Sequence, residues 1–178
     1  ATVTEIYDYM RVLYARAGIP FSPFTGKPIE SQTVSQIVDK IKQLPKKTTI
    51  YLYAPIVRGR KGEYKKEILA YKKRGFRKIK IDEVLYEIEK VPELNKKVKH
   101  DISILVDRIV LNSSLGNRLA ESIETSINLA NGLLFVEYED ETLPKKFRKL
   151  EKLIFSTKFA CPESGFTIEE IEPRLFSF

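Results

Sequence analysis

The chain has 178 residues, a formal net charge of +7 and a sequence pI near 9.3. Because 43% of its residues are hydrophobic and 31% are charged, it can bury a core, which excludes a disordered chain. No apolar run approaches the roughly 20 residues that span a bilayer, and a single cysteine excludes an internal disulfide framework. We therefore expect a cytoplasmic protein with no membrane partner.

Hydrophobic periodicity and turn residues predict the elements of the chain. In chain order they are a helix over 2–17, a loop over 20–28, a helix capped by Ser31 over 31–44, a strand over 49–57, a basic turn over 58–62, a helix over 63–74, short strands over 76–82 and 84–88, a strand over 102–111, a helix over 115–130, a strand over 133–138, an exposed loop over 139–149 and a last strand over 153–160. Helices and strands alternate irregularly, and several strands are adjacent in sequence. This order favours an α+β fold, a mixed sheet packed with several helices, over a doubly wound parallel sheet.

Motifs of enzymes are missing from the sequence. It contains no Walker-type phosphate loop, no dinucleotide fingerprint and no nucleophile elbow. Cys161 has no plausible local base and is expected to be structural. The glycine-rich run Arg58-Gly59-Arg60-Lys61-Gly62 either holds a phosphate or is a solvated turn between a strand and a helix. We expect no catalytic residues, no bound cofactor and no ATP hydrolysis from this chain.

The positive charge is concentrated in one window. Between Arg58 and Lys80 lie eleven basic and two acidic residues, so this window carries +9 while the rest of the chain carries −2. Such a window suits an anionic partner, either nucleic acid or an acidic protein surface, although a solvated lysine-rich helix face has the same composition.

Two positions within strands are candidates for contact with that partner. In the strand over 76–82, alternation places Ile79 and Ile81 toward the core and predicts that Lys78 and Lys80 project outward. Arg108 interrupts an apolar strand and, by a period of two, falls on the face of Ile104 and Val106. A charge there is costly if buried unpaired, so either Asp107 or another carboxylate satisfies Arg108, or that face is open to a partner.

The two ends of the chain carry matching but altered knuckles. Ser22-Pro23-Phe24-Thr25-Gly26 and Cys161-Pro162-Glu163-Ser164-Gly165 both resemble Cys-Pro-x-Cys-Gly, two of which form a four-cysteine zinc site. Ser22, Thr25 and Ser164 replace three of the four thiolates, and neutral hydroxyls are poor zinc ligands. We interpret the pair as a short metal-free module that joins the two ends.

Several stretches together resemble the UvrA family of bacterial nucleotide excision repair. They span essentially the whole chain: Thr2–Tyr9, Pro55–Gly62, Lys99-His100, Val106-Asp107-Arg108, Arg118–Ser122, Phe159–Pro162 and Glu172–Phe178. The resemblance implies an internal segment of a longer protein, in which residues 28–156 form the UvrB-binding domain and the flanks 1–27 and 157–178 belong to the signature region and zinc module. It also implies that the ATP sites lie elsewhere in that protein and that the parent is a homodimer, while we expect the fragment alone to be a monomer.

The resemblance places two charged contacts with UvrB on Lys78 and Arg108. The first position is often arginine in the family, and a lysine cannot make the bidentate contact. Lys80, Arg58 and Lys61 complete the set of residues that we expect to contact the partner. The alternative is a DNA-contacting module that uses the 58–80 window on phosphates.

Overall fold

The structure is a computed structural model that describes residues 2–26, 28–29, 31–112, 115–139, 149–160 and 167–168. The chain divides into two compact units, one of residues 33–155 and one of residues 1–32 with 156–178. The predicted loop over 139–149 lies largely outside the described residues, as do Cys161 and Ser164. Among the described helices, none has the length and apolar character needed to cross a membrane.

The elements follow the predicted order closely. In chain order they are α1 (Thr2–Ala17), α2 (Val34–Lys42), β1 (Thr49–Lys61), α3 (Lys65–Lys73), β2 (Lys78–Ile81), β3 (Val84–Glu87), a 3-10 turn (Ile88–Lys90), β4 (Lys99–Val110), α4 (Arg118–Leu129), β5 (Leu133–Glu139), β6 (Leu150–Ser156), β7 (Phe159–Ala160) and β8 (Thr167–Ile168).

Six strands of the larger unit form one sheet in the order β3-β2-β4-β1-β5-β6. The long strands β1 and β4 pair at its centre, and every pair whose register is described is antiparallel. β2 and β3 form a hairpin whose two turn residues, Asp82 and Glu83, both have positive φ, as a tight two-residue turn requires. The predicted α+β class is confirmed.

The main core lies between one face of this sheet and the helices α2 and α4. In α2, Ile37 and Ile41 lie one turn apart and are fully buried. In α4, Leu119 and Ile123 are spaced and buried in the same way. They meet side chains that alternate along the strands, such as Ile50 and Leu52 of β1. The remaining members of this cluster are Ile109, Leu111, Leu134, Val136 and Phe155. Burial of this apolar surface holds the helices on that face.

Two details of the sequence prediction are wrong. Residues 58–62 are not a turn, because β1 continues to Lys61 and pairs there with Lys99 of β4. The cap of α2 is Thr33 rather than Ser31: the Thr33 hydroxyl accepts from the Gln36 N–H, and the Gln36 side chain accepts from the Thr33 N–H. Thr33 and Gln36 therefore form a capping box, which Ser31 stands too early to make.

Candidate docking face

The sheet face opposite α2 and α4 carries three aromatic side chains, Tyr51, Tyr53 and Phe135. We call it the aromatic face. It is distinct from the core because Tyr51 and Tyr53 alternate with the buried Ile50 and Leu52 along β1. A cation lies over each ring: Arg108 over Tyr51 at 5.8 Å, Lys80 over Tyr53 at 5.5 Å and Lys152 over Phe135 at 4.3 Å from the ring centroid. The face thus combines aromatic area with positive charge.

A β-bulge decides which way Arg108 points. Leu52 pairs with Asp107 and Tyr53 with Leu105, so Val106 is an extra residue in β4. The bulge reverses the alternation beyond Val106, which leaves Asp107 on the core side with Ile104 and places Arg108 on the aromatic face beside Tyr51. The expectation that Arg108 shares the face of Ile104 is therefore wrong.

Asp107 does not neutralise the Arg108 side chain. Its carboxylate accepts from Arg118 Nε at 3.0 Å, from Arg118 Nη2 at 2.8 Å and from the Ser122 hydroxyl at 2.8 Å. Burial opposes the charge of Asp107, but these bonds and the Arg108 backbone N–H outweigh it and lower the pKa of Asp107. Asp107 thus joins β4 to α4 on the core side of the sheet.

The Arg108 guanidinium is exposed and supported by an aromatic ring. Its Nε donates to the Tyr51 hydroxyl at 3.4 Å, and the guanidinium lies over the same ring. No carboxylate of the described residues forms an ion pair with it. The contact with Tyr51 restricts the rotamers of Arg108 and uses Nε, whereas a bidentate contact with a carboxylate needs two donors of the planar fork.

Lys78 is exposed on the same face. It lies two residues before Lys80 on β2, opposite Glu87 of β3, whose carboxylate pairs with Lys90 at 2.7 Å. Lys78 itself has no ion pair among the described residues. Ile79 of β2 pairs with Ile104 of β4, so the preceding residue, Lys78, lies beside Leu105. Leu105 is three residues before Arg108. At about 3.3 Å per residue the backbones of Lys78 and Arg108 are on the order of 10 Å apart along the strand direction.

Lys80 is placed differently from the outward projection expected of it. Its side chain is 12% exposed, and its Nζ contacts Glu137 Oε1 and lies 2.8 Å from Glu83 Oε2. Burial alone would lower the pKa of Lys80, but its hydrogen bonds to these two carboxylates raise it. The neighbouring Tyr53 hydroxyl has a strongly raised pKa, first from burial and then from the charge of Glu137. Lys80 is thus engaged within the fold.

The basic window of residues 58–80 does not form a single surface. Lys65 pairs with Glu93 at 2.7 Å and Lys72 with Glu89 at 3.0 Å, both between α3 and the segment that follows β3. Arg58 and Lys61 lie at the far end of β1 from Tyr51 and are both exposed. Their place in the fold therefore differs from that of Lys78 and Arg108.

The first knuckle keeps a tight turn without metal ligands. The Ser22 hydroxyl accepts from the N–H groups of Phe24 and Thr25, each at 3.3 Å, and the Gly26 N–H donates to the Ser22 carbonyl at 2.9 Å. Gly26 has φ +65°, a value that favours glycine. Ser22 thus satisfies backbone donors of its own turn.

Comparison with known proteins identifies the chain by sequence. The profile of the UvrA interaction domain matches residues 32–140. The chain belongs to the UvrA family. It is 57% identical to UvrABC system protein A of Mesorhizobium japonicum, 56% to that of Bradyrhizobium diazoefficiens and 55% to that of Rickettsia felis. Each alignment covers 99% of this chain and 19% of the relative, so the chain spans about a fifth of the UvrA proteins that it matches.

Sequence reasoning missed the partners of the charged residues on the aromatic face. Tyr51 supports Arg108, and Glu137 and Glu83 engage Lys80. One signal was available for Glu137, which is the only charged residue between Leu133 and Tyr138 and therefore needs a partner if that strand is buried. Nothing in the sequence pairs it with Lys80, which lies 57 residues away.

Proposed function

We propose that this chain is the UvrB-docking module of a UvrA protein of bacterial nucleotide excision repair and acts in the cytoplasm. In this proposal Lys78 and Arg108 contact carboxylates on an acidic surface of UvrB. The family membership supports an interaction role, and the aromatic face supports the choice of these two residues.

The observation that carries the proposal is the state of Arg108. It is exposed, it stacks on Tyr51, and it has no carboxylate partner among the described residues, while the adjacent Asp107 is held by Arg118 on the other side of the sheet. Pre-ordering of an arginine reduces the side-chain entropy that is lost when a partner binds. An ordered guanidinium beside an aromatic ring is a combination enriched at the energetic centres of protein interfaces.

Lys78 supports the proposal as a second cation on the same face. Its separation from Arg108 allows one partner element to offer a carboxylate to each. Lys80 has a different role in this proposal: it neutralises Glu137 and fixes the shape of the face from which Lys78 projects.

Isothermal titration calorimetry of the chain against UvrB tests the proposal. Charge reversal at a partly desolvated pair costs about 2–5 kcal/mol, so Arg108→Glu and Lys78→Glu are each expected to weaken binding more than tenfold. Lys66→Glu is the matched control, because Lys66 is also exposed but lies on α3.

Thermal unfolding of the same variants separates lost contacts from lost folding. Parent-like melting temperatures together with weakened binding support the proposal. Folded Arg108→Glu and Lys78→Glu variants that bind UvrB as the parent does would overturn it.

A further inference from the structure

The central pair of strands extends beyond the rest of the sheet as a two-stranded ribbon. β5 pairs with β1 only at residues 50–53, whereas β4 accompanies β1 to its end, with Arg60 opposite His100 and Lys61 opposite Lys99. We call residues 58–61 of β1 and residues 96–100, which are the start of β4 and the turn before it, the basic ribbon. It contains six cationic side chains besides His100: Arg58, Arg60, Lys61, Lys96, Lys97 and Lys99.

Two cations of the basic ribbon, Lys61 and Lys99, lie directly opposite each other on paired strands. Arg60, Lys61, Lys96, Lys97 and Lys99 are all exposed, and none forms a salt bridge with another described residue. Like charges directly opposite on paired strands repel, so the pairing of Lys61 with Lys99 is unfavourable in the isolated chain. The repulsion is relieved if an anion with several charges binds to both.

The nearest acidic groups, Asp101 and Asp82, brace the base of the ribbon, and the charge of Asp101 also acts on Arg58 and His100. The Asp101 carboxylate accepts from the Gly59 N–H at 2.8 Å and holds the turn of the backbone at Gly59, where φ is +56°. Asp82 accepts from the Asp101 N–H at 2.9 Å and contacts His100 Nδ1 at 2.7 Å. Glu63, also exposed, is the acidic residue that follows the ribbon in sequence.

His100 lies at the base of the ribbon and is paired with Asp82. Its Nε2 donates to the Asn95 carbonyl at 3.0 Å while its Nδ1 contacts Asp82, so both ring nitrogens face acceptors. Because both contacts suit a ring that carries two protons, the ring favours the imidazolium form.

We propose that the basic ribbon binds the phosphate backbone of a double-stranded nucleic acid. A two-stranded ribbon fits a groove of a duplex, and side chains at alternate positions of a strand stand about 6.6 Å apart, close to the spacing of successive phosphates. An acidic protein is a poorer match, because protein interfaces need buried apolar anchors. Val98 is the large apolar side chain that is exposed in the described ribbon.

This surface is separate from the contacts proposed for UvrB. The cations over the rings of the aromatic face are Arg108, Lys80 and Lys152. The docking proposed for Lys78 and Arg108 does not use Lys61 or Lys99. The ribbon gives a specific form to the DNA-contacting alternative. Its residues come from the C-terminal end of β1 and the neighbouring start of β4, rather than from the continuous 58–80 window.

Fluorescence anisotropy of the chain with a labelled DNA duplex of arbitrary sequence, measured over a series of salt concentrations, tests the proposal. The logarithm of the association constant falls linearly with the logarithm of the salt concentration, and each phosphate contact adds about 0.9 to the steepness of that line. Lys61→Gln/Lys99→Gln is therefore expected to reduce that slope by about 2 and to weaken binding about tenfold or more at low salt.

The matched control is Lys66→Gln/Lys73→Gln, which removes the same charge from exposed positions of α3. It is expected to bind the duplex with nearly the parent slope. An equal loss in both double variants, or no loss in the ribbon variant, would overturn the proposal. So would poly-glutamate binding that depends on Lys61 and Lys99 in a chain that does not bind the duplex. The Lys61→Gln/Lys99→Gln variant is expected to bind UvrB as the parent does, because Lys78 and Arg108 are unchanged. Failure of the DNA proposal can therefore be told apart from failure of the proposed UvrB docking.

Discussion

Lys80 and Glu137 form a nearly enclosed ion pair although β4 and β1 lie between their strands in the sheet. In a flat sheet three strand spacings of about 4.8 Å would hold their backbones roughly 14 Å apart. Their contact therefore requires the sheet to curl toward the aromatic face, with Lys80 lying over Tyr53 of the intervening β1. A second ion pair also spans the sheet: Glu83, in the turn after β2, lies 3.7 Å from Nζ of Lys152 in β6.

Removing one partner of this enclosed pair is expected to destabilise the chain strongly. Lys80→Ala leaves the Glu137 side chain, 6% exposed, without its cation and is expected to lower the free energy of unfolding by about 3–5 kcal/mol. Glu137→Gln is expected to cost less, because Lys80 keeps Glu83. Urea unfolding measures both changes.

The control for that prediction is Lys72→Ala. Its pair with Glu89 is exposed, at 45% and 69%, and is expected to contribute less than about 1 kcal/mol. If Lys80→Ala is no more costly than Lys72→Ala, the ion pair does not hold the curled sheet.

The two arginines near Asp107 are expected to respond differently to truncation. Arg118→Ala leaves the half-buried Asp107 carboxylate without its two charged donors and is expected to reduce the free energy of unfolding more than Arg108→Ala does. Arg108→Ala is expected to change it by less than about 0.5 kcal/mol, because Arg108 is exposed. A larger loss for Arg108→Ala in the same unfolding measurement would mean that Arg108 is structural rather than a docking residue.

His100 is expected to make stability depend on pH. Its hydrogen bond to Asp82 is the main cause of its raised pKa, burial opposes the shift, and the Asn95 carbonyl and the charges of Asp82 and Asp101 add to it. Because folding favours the charged ring, the stabilisation is complete below the unfolded pKa of about 6.5 and is lost as pH rises through the folded pKa. Asp82 stays ionised throughout this range because its own pKa is lowered.

The measurement for His100 is the difference in free energy of unfolding between the parent and His100→Gln. This difference is expected to be larger near about pH 6 than near about pH 9. Equal differences at the two pH values would show that folding does not favour the charged ring and would contradict the raised pKa of His100.

Much of the fold follows from local patterns, whereas the site depends on pairing between distant strands. The stripes of α2 and α4 and the hairpin of β2 with β3 are visible in the sequence because helical spacing and alternation are local. The extension of β1 through Arg58 to Lys61 was missed, because pairing with β4 overrides the turn preference of Gly59. The sequence pattern assigns Arg108 to the wrong face of the sheet, because the bulge at Val106 is visible only in the register of β4 with β1.

The absence of zinc stays a prediction. Ser22 and Thr25 replace two thiolates in the first knuckle, and the Ser22 hydroxyl already accepts two backbone N–H groups. Elemental analysis of the purified chain is expected to find no stoichiometric zinc, and a chelator is expected to leave the melting temperature unchanged. Close to one zinc per chain would contradict this and would require ligands outside the described residues.

The most direct test of the proposed function is the affinity of the Arg108→Glu chain for UvrB, measured by calorimetry on protein that melts at the parent temperature. We predict a dissociation constant more than tenfold above that of the parent, since a loss of about 1.4 kcal/mol is a factor of ten. A dissociation constant equal to that of the parent would contradict the assignment of the aromatic face as the UvrB-docking surface.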